Sequence, residues 1–338
     1  MKHYVALCCI IKDEPDLEEF IIYYVILGVT QFYIYDNESS YPIKTRLLNN
    51  FFFQKYCTVI DFPGKCQQIN AYNHCIQNYG RNINWLAVVD ADEFIVLKTQ
   101  NTLPELLKQY EDKDAIAINW VIFGTSYHNH RQNGLVIDNY RYCESNQHNH
   151  IKTIFKPNHV IEMNNPHYAI MKDSSKFTDL KGNIIDKSFP AFNDNFTIDI
   201  AQINHYTFKS LDECNNKHYR GNADKLEGRG IFNESLHGVY NNIIDNYLPD
   251  KYMHKINHYI RMISVNLPIY KALNLDLFNK SDDICYNHLI YYSIKENRPL
   301  HIKDKHPNFI REEYRSQNPQ FNNMNDIELE LQYIYSHE

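Results

Sequence analysis

Residues 85–97 read WLAVVDADEFIVL. Trp85 to Val89 is an unbroken apolar run, as in a strand covered on both faces. The acidic turn Asp90-Ala91-Asp92 ends it, and Phe94 to Leu97 is apolar again. Two carboxylates at i and i+2 on a strand end can share one face. That geometry suits a divalent cation whose other ligands are phosphate oxygens and water. A bare DxD also occurs as a solvated acidic turn, so its surroundings decide.

Upstream, strand and helix patterns alternate. Tyr4 to Ile11 reads as a covered strand, stopped by Lys12-Asp13-Glu14-Pro15-Asp16. Pro15 suits a first helical turn, and acidic residues suit its positive end. Leu17 to Leu27 reads as a helix with Gly28 as its stop. Gln31 to Tyr35 is the next strand and ends at Asp36-Asn37-Glu38-Ser39-Ser40; Thr58 to Phe62 is a third. Gln67 to Tyr79 is a helix closed by Gly80. This β-α-β rhythm predicts a mostly parallel sheet with helices on both faces. Ligands of such sheets bind beyond the carboxyl ends of the strands. The clusters at 12–14, 36–38 and 90–92 all fall at such ends, so three loops on one rim can build one site.

Downstream, Ala115 to Phe123 is another strand, ending at Gly124-Thr125-Ser126-Tyr127-His128. Residues 129–200 are polar, His-rich and irregular, with strand candidates at Thr153 to Lys156 and Phe196 to Ile203. Leu211 to His218 reads as a helix, and from about 231 onward helices with Asn- and Pro-containing loops follow. The expected division is a domain over 1–230 and a helical extension over 231–338.

The 338 residues carry a net charge of -7, which argues against coating nucleic acid by charge. No apolar stretch reaches the roughly 20 residues of a membrane span. The first residues are too soon acidic for a signal peptide, so a cytoplasmic protein is expected. The eight cysteines show neither CxxC nor zinc spacing and read as reduced thiols. Absence of GxxxxGK and GxGxxG argues against P-loop and dinucleotide sites.

Asn204-His205-Tyr206 follows a strand candidate, and Lys209, Lys217 and Arg220 follow closely. A neutral imidazole can complete a metal's ligand set, and nearby cations can hold a departing pyrophosphate.

The ordered set KDEPDLEEFIIYYVILGVTQFYIYDNESS (12–40), WLAVVDADEFIVL (85–97), INWVIFGTSYH (118–128) and INHYTFKSLDECNNKHYRG (203–221) resembles glycosyltransferase family 92 and the family 2-like group. The resemblance covers residues 3 to about 225. It implies a GT-A fold: an α/β nucleotide-sugar-binding domain with a mostly parallel sheet, here with a C-terminal helical extension. It implies an inverting transfer from a UDP-sugar to a glycan or glycoconjugate, with manganese or magnesium as cofactor. Carried over by position, Lys12 and Glu14 would flank the nucleotide, Asp36 would face the base or ribose, and Gln68 would approach the donor. Asp90 would contact ribose or metal, Asp92 and His205 would bind metal, and Lys209 and Arg220 would neutralise the diphosphate. The chain departs from the commoner pattern at Tyr41, where an acidic residue often stands, and at Tyr127, where a glycine often precedes His128.

An inverting transferase needs a base for the acceptor hydroxyl. His128, Asp138 and Glu144 are the candidates. Trp120 and Phe123 could stack on a sugar ring or simply pack in the core. Residues 251–261 mix cations and apolar groups at helical spacing, which suits either peripheral membrane contact or packing. The alternatives in other classes are a non-catalytic carbohydrate-binding protein and a two-metal phosphoryl- or nucleotidyl-processing enzyme.

Overall fold

The computed structural model describes residues 2–146, 148–220 and 233–337. Strands β1 (His3–Ile11), β2 (Gln31–Asp36), β3 (Cys57–Asp61) and β4 (Ile83–Val88) are the expected first four. β5 (Glu93–Leu97), β6 (Ala115–Ile122), β7 (Ile151–Phe155), β8 (Phe177–Asp179) and β9 (Ala201–His205) complete a nine-stranded sheet. Its order is β3-β2-β1-β4-β7-β6-β9-β5, with β8 pairing onto β6. The pairs β1–β2, β2–β3, β1–β4, β6–β8 and β6–β9 are parallel. Only β7 and β5 run against their neighbours.

Helix α1 (Leu17–Ile26) follows β1, and α2 (Gln68–Tyr79) follows β3. Gly28 closes α1 at φ 92°, and a Cβ there would also lie 2.9 Å from Pro104 Cδ. Helix α2 lays Ala71, Tyr72 and Cys75 on a core that contains Cys8, Tyr35, Leu86 and Val88. Every residue of edge strand β5 is buried. Tyr23 and Tyr247 donate their hydroxyls to the Ile95 and Leu97 carbonyls at 2.6 and 2.9 Å. The Ile95 N–H in turn donates to the Tyr24 hydroxyl at 3.1 Å. Side chains thus satisfy an edge that would otherwise invite pairing with another chain.

The chain forms two compact units, Met1–Asn49 with Phe53–Met253, and Asn50–Phe52 with His254–Glu338. The division falls inside helix α3 (Tyr247–Ile263), whereas the expected boundary at 230 lies outside the described residues. The second unit is helical, and Ile269, Leu273, Ile302, Phe309 and Ile334 form its core. Tyr252, Ile256 and Met262 on α3 are buried, so one face of that helix packs against the protein. No described helix is long and apolar enough to cross a membrane.

Candidate functional site

β1 and β4 are adjacent and parallel, yet their continuations diverge. After β1 the chain turns toward β2; after β4 it crosses to the far edge and becomes β5. Such a switch point opens a crevice at the carboxyl ends of the two strands. The loop 12–16 and the turn 90–92 flank it. Left-handed backbone concentrates on this rim. Asp13, Glu38, Cys66, Ser126, Tyr127 and Lys209 all have φ between 49° and 63°, and each lies in the loop following a strand of this sheet. Non-glycine residues hold that conformation only where their surroundings impose it.

Asp90 is fixed from three sides. Its Oδ1 accepts from Gln68 Nε2 at 2.6 Å and the Tyr72 hydroxyl at 3.3 Å, and its Oδ2 from Lys152 Nζ at 3.1 Å. Lys152, on β7, is 1% exposed and also lies 3.6 Å from Glu93 Oε2. Burial opposes ionisation of Asp90, but the Lys152 ammonium outweighs it and holds the carboxyl below its ordinary range. Burial pushes Glu93 well up. Lys152 therefore sits between two carboxyl groups whose pKa values are pushed in opposite directions.

Asp92 is held differently. The Tyr206 N–H donates to its backbone carbonyl at 2.8 Å, and Lys217 Nζ donates to Oδ2 at 2.5 Å. Its Oδ1 lies 3.6 Å from His205 Nε2, beyond a hydrogen bond. Burial resists ionisation, yet Lys217 and His205 hold Asp92 well below the usual carboxylate range. Burial pushes His205 down to about 3, so the imidazole is neutral. Its Nδ1 is buried with no partner among the described residues. Lys217 comes from the helix Leu211–Arg220, from which its ammonium reaches the acidic turn.

Asp92 and His205 thus form a pair of donors with nothing bonded between them. Their separation approaches the roughly 3 Å expected for neighbouring ligands of one small cation. Asp90 turns toward Gln68 and Lys152 instead, and the described residues hold no group of three or more metal-ligating side chains. These residues fit a cation completed by substrate phosphate oxygens, not one caged by protein alone.

The other expected residues are placed as follows. Lys209 is buried between Glu14 and Asp16, at 2.8 and 2.5 Å. Asp16 also pairs with Arg131, which reaches Glu213 at 2.5 Å. Lys209 and Glu14 therefore tie the loop after β9 to the loop after β1. Lys12 is half-buried in that same loop. Asp36 accepts the N–H groups of Ser39 and Ile43, both at 2.9 Å, and so shapes its own loop. The Arg220 side chain lies outside the described residues.

Among the base candidates, His128 Nε2 donates to the Asn139 carbonyl at 3.1 Å, and Asp138 pairs with Arg141. Glu144 accepts the Ile122 N–H at 2.8 Å, and burial raises its pKa. Ile122 is the residue in register with His205, so Glu144 is anchored beside the end of β9. Phe123 is 1% exposed and packs on Tyr206, which gives its ring to the core. Trp120 is half-exposed and packs on His205 at 4.4 Å and, in parallel, on His150 at 5.3 Å.

Sequence reasoning missed Lys152, Glu93, Asp16 and Arg131. Lys152 lies in a segment whose apolar neighbours suggested only a strand, and its partner is 62 positions away. Glu93 directly follows the quoted acidic turn and Asp16 ends the polar cluster after β1, so both offered a signal; Arg131 offered none.

The family model described as glycosyltransferase family 92 matches residues 3–227. A family 92 protein of Arabidopsis thaliana is 24% identical over 242 residues, covering 65% of this chain and 38% of that protein. One of Oryza sativa subsp. japonica is 29% identical over 116 residues, covering 34% of this chain and 20% of that protein. This chain therefore spans well under half the length of these relatives. Among solved structures, S. aureus TarS 1-349 in complex with UDP aligns with a TM-score of 0.31 at 10% identity, covering 46% of this chain and 47% of that one. HddC from Yersinia pseudotuberculosis aligns with a TM-score of 0.34 at 9% identity, covering 52% and 91%.

Proposed function

Since this chain belongs to glycosyltransferase family 92, we propose that it transfers a sugar with inversion from a UDP-sugar to a glycan or glycoconjugate acceptor, using a divalent metal, manganese first and magnesium second. The observation that carries this reading is the Asp92–His205 pair at the switch-point crevice, faced by the Lys217 ammonium. The bound cation would supply charge neutralisation to the departing diphosphate. Asp92 and His205 hold it. Gln68 and Lys152 keep Asp90 ionised and oriented toward the ribose side. Lys217, which pairs with Asp92 here, would face the diphosphate with Arg220 three positions on, a contact expected of Lys209, which instead pairs with Glu14 and Asp16 and ties two loops. Glu144 takes the acceptor proton, because its raised pKa brings a carboxylate closer to the strength a general base needs.

Calorimetry with UDP, with and without manganese, tests the donor side. Wild type should bind in a manganese-dependent manner, and Asp92→Ala should abolish the manganese-dependent part. No binding under either condition sinks the UDP assignment. A hydrolysis panel of UDP-sugars then identifies the donor. Glu144→Gln should leave UDP affinity within about twofold and lower turnover by roughly 100-fold or more, the usual worth of a positioned base. Unchanged turnover would reassign the base to His128 or Asp138.

A further inference from the structure

β7 is antiparallel to both β4 and β6, so its first residue lies on the same rim as the carboxyl ends of those strands. The chain just before β7 is therefore delivered to the crevice. Segment 191–194 runs antiparallel along it: the Ile151 N–H donates to the Ala191 carbonyl at 3.2 Å, and the Asn193 N–H to the Asn149 carbonyl at 2.8 Å. Buried Asn119 of β6 fixes this segment by donating to the Asn193 carbonyl at 2.8 Å. Asn149 Nδ2 donates to Asp194 Oδ1 at 3.1 Å.

These strands wall a cavity of about 380 Å³, lined among others by Asn149, Asp186, Phe189, Phe192, Asp194 and Asn195. Its chemistry is specific. Phe189 is 64% exposed and Phe192 36%, an uncommon outlay of aromatic surface. Amides and carboxylates surround them, and no cation among the described residues lines the cavity. That combination repels phosphate and uronate. It suits a neutral pyranose, whose C–H face lies on an aromatic ring while amides and carboxylates take its hydroxyls. A chain of packed rings runs from the cavity to His205. Phe192 packs on His150 at 4.5 Å, His150 on Trp120 at 5.3 Å, and Trp120 on His205 at 4.4 Å.

We propose that this cavity is a subsite for a neutral glycan, holding acceptor residues remote from the reacting hydroxyl, with Phe189 and Phe192 as its platform. The inference rests on the glycan-acceptor part of the reading above but not on the UDP or metal assignment. A chain held there would make each new acceptor end easier to retain, because the remote residues supply binding energy that the reacting sugar alone lacks.

Saturation-transfer NMR and calorimetry on the full chain test it, with neutral tetrasaccharides of glucose, galactose, mannose and N-acetylglucosamine and with tetragalacturonate as the acidic probe. At least one neutral tetrasaccharide should bind, and tetragalacturonate should not. Phe189→Ala, at an exposed position, should weaken that binding tenfold or more and leave manganese-dependent UDP binding unchanged. Asp92→Ala should show the reverse, so failure of the subsite and failure of the donor reading are separable. Tetragalacturonate binding as well as the neutral probes, no neutral probe binding at millimolar concentration, or equal binding by wild type and Phe189→Ala would each overturn the proposal.

Discussion

Glu19 shows how one side chain can link the rim to pH. It lies on buried α1, and its carboxyl accepts the N–H groups of Val136 and Ile137 at 2.7 and 3.2 Å. Burial outweighs those donors and raises its pKa from 4.5 to about 8. The folded state thus binds the extra proton between those values. Its contribution to stability is complete below pH 4.5 and is lost as pH rises through 8. Urea unfolding of wild type and Glu19→Gln should show it. The difference in stability, wild type minus variant, should fall by about 1.4 kcal/mol per pH unit at most across that window. A flat difference would mean that Glu19 is ionised throughout. The placement of Asp90, Asp92 and His205 on one rim was legible in the sequence because they occupy strand ends, where periodicity stops. Lys152 was not. A lysine inside an apolar strand becomes meaningful only once the sheet brings β7 beside β4, and no local pattern encodes that register. Lys209 misled for the same reason, since the carboxylates that claim it come from the opposite end of the unit's sequence.

At the scale of elements, the loop after β6 depends on a close approach. A Cβ on Gly124 would lie 2.2 Å from Asn241 Oδ1 and 2.9 Å from the Tyr240 carbonyl carbon. The same Asn241 Oδ1 accepts the Ser126 N–H at 2.9 Å. Backbone cannot give way as a flexible side chain can. Gly124→Ala should therefore cost roughly 1–3 kcal/mol in urea unfolding, the usual range for overpacking. It should also disturb the adjoining left-handed Ser126 and Tyr127. A loss below about 0.5 kcal/mol would show that segment 240–241 moves aside freely. Strands β1 to β4, α1 and α2 were read nearly to the residue, because covered strands and capped helices announce themselves locally. Residues 129–200 were read as irregular apart from strand candidates at Thr153 to Lys156, which overlaps β7, and at Phe196 to Ile203. Their order comes from side-chain and backbone bonds made at long range, such as Asn119 to Asn193, and not from any repeating pattern.

For the molecule as a whole, the parallel sheet and the helical C-terminal part were both legible, since the alternation of patterns and its change of texture span many residues. The division itself was not: it falls within a continuous helix, where composition gives no boundary signal. One consequence of the sheet order reaches beyond the crevice. The acidic turn joins a central strand, β4, to an edge strand, β5, whose sole strand partner among the described residues is β9. His205 ends β9, and Asp92 immediately precedes β5. A ligand drawing those two side chains together therefore acts as a clasp on the periphery of the sheet. Its occupancy should register as slower amide exchange in Glu93–Leu97 and Ala201–His205, with β2 and β3 unaffected. Uniform slowing across the sheet would assign the effect to global stabilisation instead. In this arrangement a ligand at the middle of the rim would also hold its margin.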